Sequence, residues 1–208
     1  PIYTVTIKAG ERVAKFRMKG IYENIDKTDS LSVTFNLLAK DENVWDLYGT
    51  RTRVQMQKAC PFELSTFEGY CLLTSSFFSA YMTNTEHRLL QAERDKTEDN
   101  TIILHDFFYK NYDLKIKYDP SDPLKPFVEF DDQIIGSTAE AFGTIYGNGK
   151  LMCTQPVAYD SYYNVCQKFV FLYSTIYVVG KGTVGTYVNI LEWISDEEAE
   201  QYKKEEGL

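Results

Sequence analysis

Histidine is almost absent from this 208-residue chain: His87 and His105 are the only two. The four cysteines, Cys60, Cys71, Cys153 and Cys166, form no C-x-x-C pair and show no zinc-ribbon spacing. No serine sits in a nucleophile elbow. With so few ligands and bases, neither a metal site nor a catalytic triad can be drawn, and the expectation is no metal and no cofactor. Long apolar runs are also missing. The most apolar stretch, Phe169 to Val179, is interrupted by Tyr, Ser and Thr and falls short of the roughly 18 to 20 residues a membrane helix requires, so no membrane insertion is expected. The opening residues lack the basic start and apolar core of a signal peptide. No asparagine lies in an N-x-Ser/Thr sequon. Cations are outnumbered, with Lys+Arg 22 against Asp+Glu 30 and a net charge of −8. That balance removes the long-range attraction of a duplex-DNA or anionic-membrane binder.

Aromatic residues are plentiful: 15% of the chain, with Tyr 16 and Phe 13. Together with 44% hydrophobic and 25% charged residues, this is the composition of a packed globular protein. A core of this size needs no covalent staple, so the cysteines are read as reduced and partly buried; in an oxidising compartment the pairs Cys60–Cys71 and Cys153–Cys166 would be available. The expected location is therefore intracellular or in a virion, in soluble form, rather than secreted.

Alternation at period two dominates the pattern. Ala14, Phe16 and Met18 oppose Lys15, Arg17 and Lys19, and Leu31, Val33, Phe35 and Leu37 repeat the theme. Tyr112 to Tyr118 is the cleanest half-exposed strand, ending in the proline-punctuated loop 119–126. Gly147-Asn148-Gly149 suits a tight turn between strands 141–146 and 150–154, and Gly180-Lys181-Gly182-Thr183 joins two long runs, 168–179 and 184–194. Helices are expected to be few: a turn capped by Asp41 and ended by Gly49, a short helix or charged loop after the box Thr83 to Glu86, and a terminal helix begun by the capping box Ser195 to Glu198. Tyr70 to Met82 fits either period. The fold class that follows is mainly β, an antiparallel sandwich or barrel with a few short helices including one at the C-terminus. Residues 1–194 are read as a single β-rich domain and 195–208 as an acidic helical tail. Charge is unevenly spread, since residues 1–58 carry 10 basic and 7 acidic side chains and the rest carry 12 and 23.

Three motifs invite chemistry. Gly180 to Gly185 spells G-x-G-x-x-G, but the following Thr186 to Leu191 reads as strand, not the helix a dinucleotide fingerprint needs. Pro1 to Ile7 is similar to the opening strand of the tautomerases, whose N-terminal proline amine acts as a base; the resemblance covers seven residues and stops where Arg12 to Lys19 alternates in place of a helix. His105 and Asp106 are neighbours on a strand and point to opposite faces, and Asp131-Asp132 reads as a solvated turn. The remaining signals are surfaces. Lys15, Arg17, Lys19, Arg51 and Arg53 form a basic set, and Tyr159, Tyr162, Tyr163, Phe169, Phe171, Tyr173 and Tyr177 an aromatic one. On strand 169–178, Phe169, Phe171, Tyr173 and Tyr177 share one face and Val170, Leu172, Ile176 and Val178 the other.

The functional expectation is a non-enzymatic structural or assembly protein, such as a virion or phage-tail-type subunit, that presents large interfaces to itself or to neighbouring subunits. Two other readings stand beside it: an OB-like module gripping single-stranded nucleic acid with the basic and aromatic sets, and a small-ligand β-barrel or enzyme with a pocket near His105.

Overall fold

The computed structural model describes residues 2–26, 30–38, 49–82, 85–123 and 125–206, which fall into two compact units, 1–58 and 59–208. The division coincides with the change of charge along the sequence. In the first unit, β1 (Ser30–Asn36) and β2 (Arg51–Gln57) form an antiparallel pair with Val33 opposite Val54. Phe16 packs on Phe35 with ring centroids 5.1 Å apart, and the Lys58 ammonium sits 4.4 Å from the centre of the Tyr22 ring. Ile25 is the one buried hydrophobic residue among those described in this unit. The helical turn expected from Asp41 lies, up to residue 48, outside the described residues, as does the Pro1 amine.

The second unit is an antiparallel barrel. Its strands are β3 (Gly69–Ser75), β4 (His87–Arg94), β5 (Thr101–Leu104), β6 (Leu114–Asp119), β7 (Phe127–Glu129), β8 (Gln133–Ser137), β9 (Lys150–Thr154), β10 (Ser161–Asn164), β11 (Phe169–Val178) and β12 (Gly182–Trp193). Strands β3 to β7 pair in sequence order, β7 pairs β10, β10 pairs β11, and β11 pairs β12, which returns to β3 and closes eight strands. Alternation puts every second side chain inside. On β11 the buried positions are Val170, Leu172, Ser174, Ile176 and Val178, and on β6 they are Leu114, Ile116 and Tyr118, as the two-residue period requires.

One part of the wall is built in two tiers. The first residues of β11 (169–171) pair with β10, and its far end (175–177) pairs with β9, which pairs in turn with β8. β7 reaches only residues 117–119 of β6. Beyond it, the side-chain amide of Gln133 on β8 does the work of a strand: its Nε2 donates to the Lys115 carbonyl at 2.8 Å and its Oε1 accepts from the Lys115 amide at 2.8 Å. Gln155 likewise accepts from the Phe130 amide at 3.2 Å. Two glutamines thus satisfy backbone groups that the short β7 leaves unpaired.

The interior is filled rather than hollow. Phe67 stacks on Tyr118 (4.6 Å) and meets Trp193 edge-on (5.0 Å), with Tyr163 beside both Phe67 and Tyr118. In the same continuous core Phe77, Phe78, Phe107 and Phe108 pack on one another. A short polar chain crosses this core: Asn189 accepts from the Ser75 hydroxyl at 2.6 Å and donates to the Leu172 carbonyl (3.0 Å) and Ser174 hydroxyl (2.8 Å).

Tyr70 to Met82, which fits both periods, is both: β3 runs into α1 (Ser76–Tyr81), capped by the Ser75 hydroxyl. The long hairpin of β11 and β12 and the terminal helix α3 (Asp196–Glu206) match their expected positions, and Ser195 and Glu198 make the capping box. Three expectations are corrected. Residues 141–146, read as a strand, are not one: Ala141 and Phe142 close α2 (Thr138–Phe142), because Ser137 and Glu140 build a capping box and Gly143 ends it in the left-handed region, and 143–146 carry no strand. The segment after residue 86, read as helix or loop, is β4, because Leu90 and Ala92 face the core while Gln91 and Glu93 face out. The cysteines are not all reduced: Cys60 and Cys166 form a disulfide, Cα atoms 5.3 Å apart, while Cys71 and Cys153 are buried thiols. Closeness in sequence misleads because strand alternation turns Cys71 and Cys153 inward. Among the described residues no helix is long and apolar enough to cross a membrane.

Candidate functional site: an aromatic row on the outer wall

The barrel register lines up one continuous row of outward side chains. Asp119 on β6 lies opposite Phe127 on β7, Phe127 opposite Tyr162 on β10, Tyr162 opposite Phe171 on β11, and Phe171 opposite Ile190 on β12. Strands about 4.8 Å apart bring such side chains into contact. Tyr162 stacks on Phe171 (5.4 Å) and meets Phe169 edge-on (6.1 Å); Phe171 meets Tyr173 (5.3 Å), and Tyr173 stacks on Tyr159 (5.0 Å). The rings hold one another in place yet stay accessible: Tyr159 is 53% exposed, Tyr162 40% and Phe127 36%.

Beyond Ile190 the row is sheltered. Ala199 of α3 is fully buried, Lys203 lies over the Tyr70 ring at 4.3 Å and donates to its hydroxyl at 2.9 Å, and the Tyr202 hydroxyl reaches the His87 carbonyl. The helix therefore lies on the outer side of β3 and β4 and not on that of β7, β10 and β11. Carboxylates border this second part. Asp119, Glu129 and Asp160 line a cleft of about 190 Å³ together with Phe127 and Gln155, and Glu192 lies opposite Phe169 on the other side. Hydrogen bonds from the Ser121 side chain and amide hold the Asp119 carboxyl below the usual carboxylate range.

The sequence-derived residues separate. Tyr159, Tyr162, Phe169, Phe171 and Tyr173 belong to this row. Tyr163 turns inward, 3% exposed, and burial raises its pKa. Tyr177 stands at the far end of β11, where its hydroxyl donates to Asp132 at 2.7 Å; hydrogen bonds from Thr154 and Tyr177 hold the Asp132 carboxyl low. Lys15, Arg17 and Lys19 are exposed in the first unit, as are Arg51 and Arg53 on β2. Phe127, Asp119, Glu129, Asp160 and Ile190 were missed, because their convergence depends on barrel register; only the alternation of Phe127 and Glu129 with Val128 and Phe130 hinted at an outward face.

The other groups with chemical potential are occupied. His105 Nδ1 lies 3.0 Å from Asp113 and its Nε2 3.5 Å from Glu93, while Asp106 accepts from the Asn111 amide instead. Burial pushes the Cys153 thiol up to about 12 and the Cys71 thiol well above its ordinary value, which suppresses the nucleophilic thiolate. Among the described residues no three His, Cys, Asp or Glu side chains are grouped as a metal site requires. Gly180 and Gly182, with φ of 71° and 112°, are the turn of the β11–β12 hairpin rather than a phosphate loop.

Residues 47–205 match the family described as a domain of unknown function (DUF4984). No curated protein and no solved structure matches the chain.

Proposed function

The chain belongs to the DUF4984 family, and from that premise we propose that it is a non-enzymatic interaction module. Its barrel is a rigid scaffold, and its working surface is the outer row Phe127–Tyr162–Phe171 with Tyr159 and Tyr173. The carrying observation is that Tyr159, Tyr173, Phe171 and Tyr162 pack on one another, with Phe127 next to Tyr162 in register, on the solvent side of a wall whose inner side is already filled. Aromatic side chains in contact and half exposed are the usual anchors of protein interfaces. The role is that of a subunit held to a neighbour or to another copy, which keeps the structural and assembly reading made from the sequence.

The side-chain-packed interior weighs against the ligand-barrel reading. The eight-strand closure weighs against the nucleic-acid reading, since an OB barrel has five strands in Greek-key order. The Cys60–Cys166 disulfide supports folding in an oxidising compartment.

Panning the intact protein against a displayed peptide library tests the proposal. Recovered binders should lose at least tenfold in affinity for the double variant Tyr162→Ser/Phe171→Ser, with near-UV circular dichroism showing the fold intact. Binders indifferent to that variant would overturn the reading. Labelled single-stranded oligonucleotide, titrated at low and high salt, should show no salt-dependent binding.

A further inference from the structure

Building on that reading of the outer row, we infer that its occupant is a polypeptide segment in which an Arg or Lys stands beside two apolar residues. The row and its border are complementary to such a segment. The middle of the row, Phe127, Tyr162, Phe171 and Ile190, is uncharged and presents rings on three adjacent strands and an aliphatic side chain on the fourth. At the β7 edge this apolar strip runs directly into carboxylates: Phe127 lines the same cleft as Asp119, Glu129 and Asp160.

The nearby cation is already engaged. Lys117, opposite Glu129 in register, directs its ammonium to Glu98 at 3.4 Å. Among the described residues, Glu129, Asp160 and Glu192 take part in no ion pair. A guanidinium or ammonium entering the cleft meets three carboxylates and the face of Phe127, a combination that attracts cations by both charge and ring quadrupole. Its apolar neighbours then cover Tyr162 and Phe171 and shed water there.

Charge also selects against the other occupants. Two copies paired face to face through this row would bring their carboxylate borders together, and residues 59–208 carry 12 basic against 23 acidic side chains. An acidic peptide meets the same repulsion. A nucleic acid would bring phosphates to the same border.

Three defined eight-residue peptides separate the terms by fluorescence anisotropy with the full chain: one with Arg between Phe and Leu, one with Glu replacing the Arg, and one with Ser replacing Phe and Leu. The first should bind. The other two should bind at least tenfold more weakly, and the first should lose about fivefold or more when Glu129→Gln and Asp160→Asn are combined, or when salt rises from 50 to about 500 mM. The inference is overturned if the Glu peptide binds as well as the Arg peptide, if the carboxylate variant binds unchanged, or if none of the three binds at millimolar concentration. Light scattering across concentration gives a further check: a dimer that forms through the row, disrupted by Tyr162→Ser/Phe171→Ser, makes a second copy the occupant and overturns it. Library binders lost by the aromatic variant but rich in acidic or uncharged residues would remove this inference and leave the interaction-module reading standing.

Discussion

Asn189 is fully buried, and all its side-chain bonds go to groups that have no water to turn to. Replacing it with Leu takes away the acceptor of the Ser75 hydroxyl proton and the donor to the Ser174 hydroxyl and the Leu172 carbonyl, and an unsatisfied buried polar group costs about 1–3 kcal/mol. Asn189→Leu should therefore lower stability by about 2–3 kcal/mol in urea unfolding, and a loss below about 0.5 kcal/mol would contradict the network. Asp95 shows the opposite environment, a buried carboxylate fully supplied with donors. It accepts from the Thr97 amide (2.7 Å) and hydroxyl (2.6 Å) and pairs with Lys115, and the Lys115 hydrogen bond foremost holds its pKa well below the ordinary value. A depressed folded-state pKa means its stabilisation is complete above the unfolded pKa of about 4 and fades as pH falls through the folded value. Thermal melts of the wild type and Asp95→Asn should thus differ by a constant amount from about pH 6 to 8 and converge from about pH 4 down towards 2. A gap that stays constant over the whole range would rule out this linkage.

Among the elements, the disulfide has the largest measurable consequence. It joins the approach to β3 with the turn between β10 and β11 and closes a loop of 106 residues, for which chain entropy gives about 4–5 kcal/mol as an upper bound. Cys60→Ser/Cys166→Ser should lower the urea midpoint accordingly. In the wild type unfolded without reductant, two of the four cysteines should react with a thiol reagent; four reacting would remove the bridge. Much of the element structure was legible in the residues: the alternation of Leu114, Ile116 and Tyr118 gave β6, and the Ser195–Glu198 box gave the start of α3. What was not legible turned on competition between signals. Ser137 and Glu140 carried a capping box as clear as the one at Ser195, but the turn signal at Gly147 to Gly149 drew the preceding residues into a hairpin. The row at Phe127, Tyr162 and Phe171 needed the order in which strands pair, and β8 and β9 intervene between β7 and β10 in sequence. No local pattern reveals that Phe127 and Tyr162 become neighbours.

The two units differ in how they can be stable. Residues 59–208 enclose a continuous core from Phe67 to Trp193, whereas the first unit leaves Phe16, Val13, Leu37 and several other apolar side chains exposed and buries only Ile25 among its described hydrophobics. A two-stranded pair with so little burial is marginal in water. The fragment 59–208 should melt cooperatively with near-native near-UV circular dichroism, and the fragment 1–58 should show no cooperative transition; a sharp melt of 1–58 alone would refute this view of the core. The position of the thiols adds a consequence for the making of the molecule. During synthesis Cys60 is followed after 11 residues by Cys71 and waits another 95 for its true partner, so the wrong bridge has a long head start. Burial of Cys71 within β3, with its ionisation suppressed, withdraws that competitor once the wall is laid down. Correct oxidation is thereby tied to barrel assembly, and the covalent bond becomes a record that the turn between β10 and β11 has arrived.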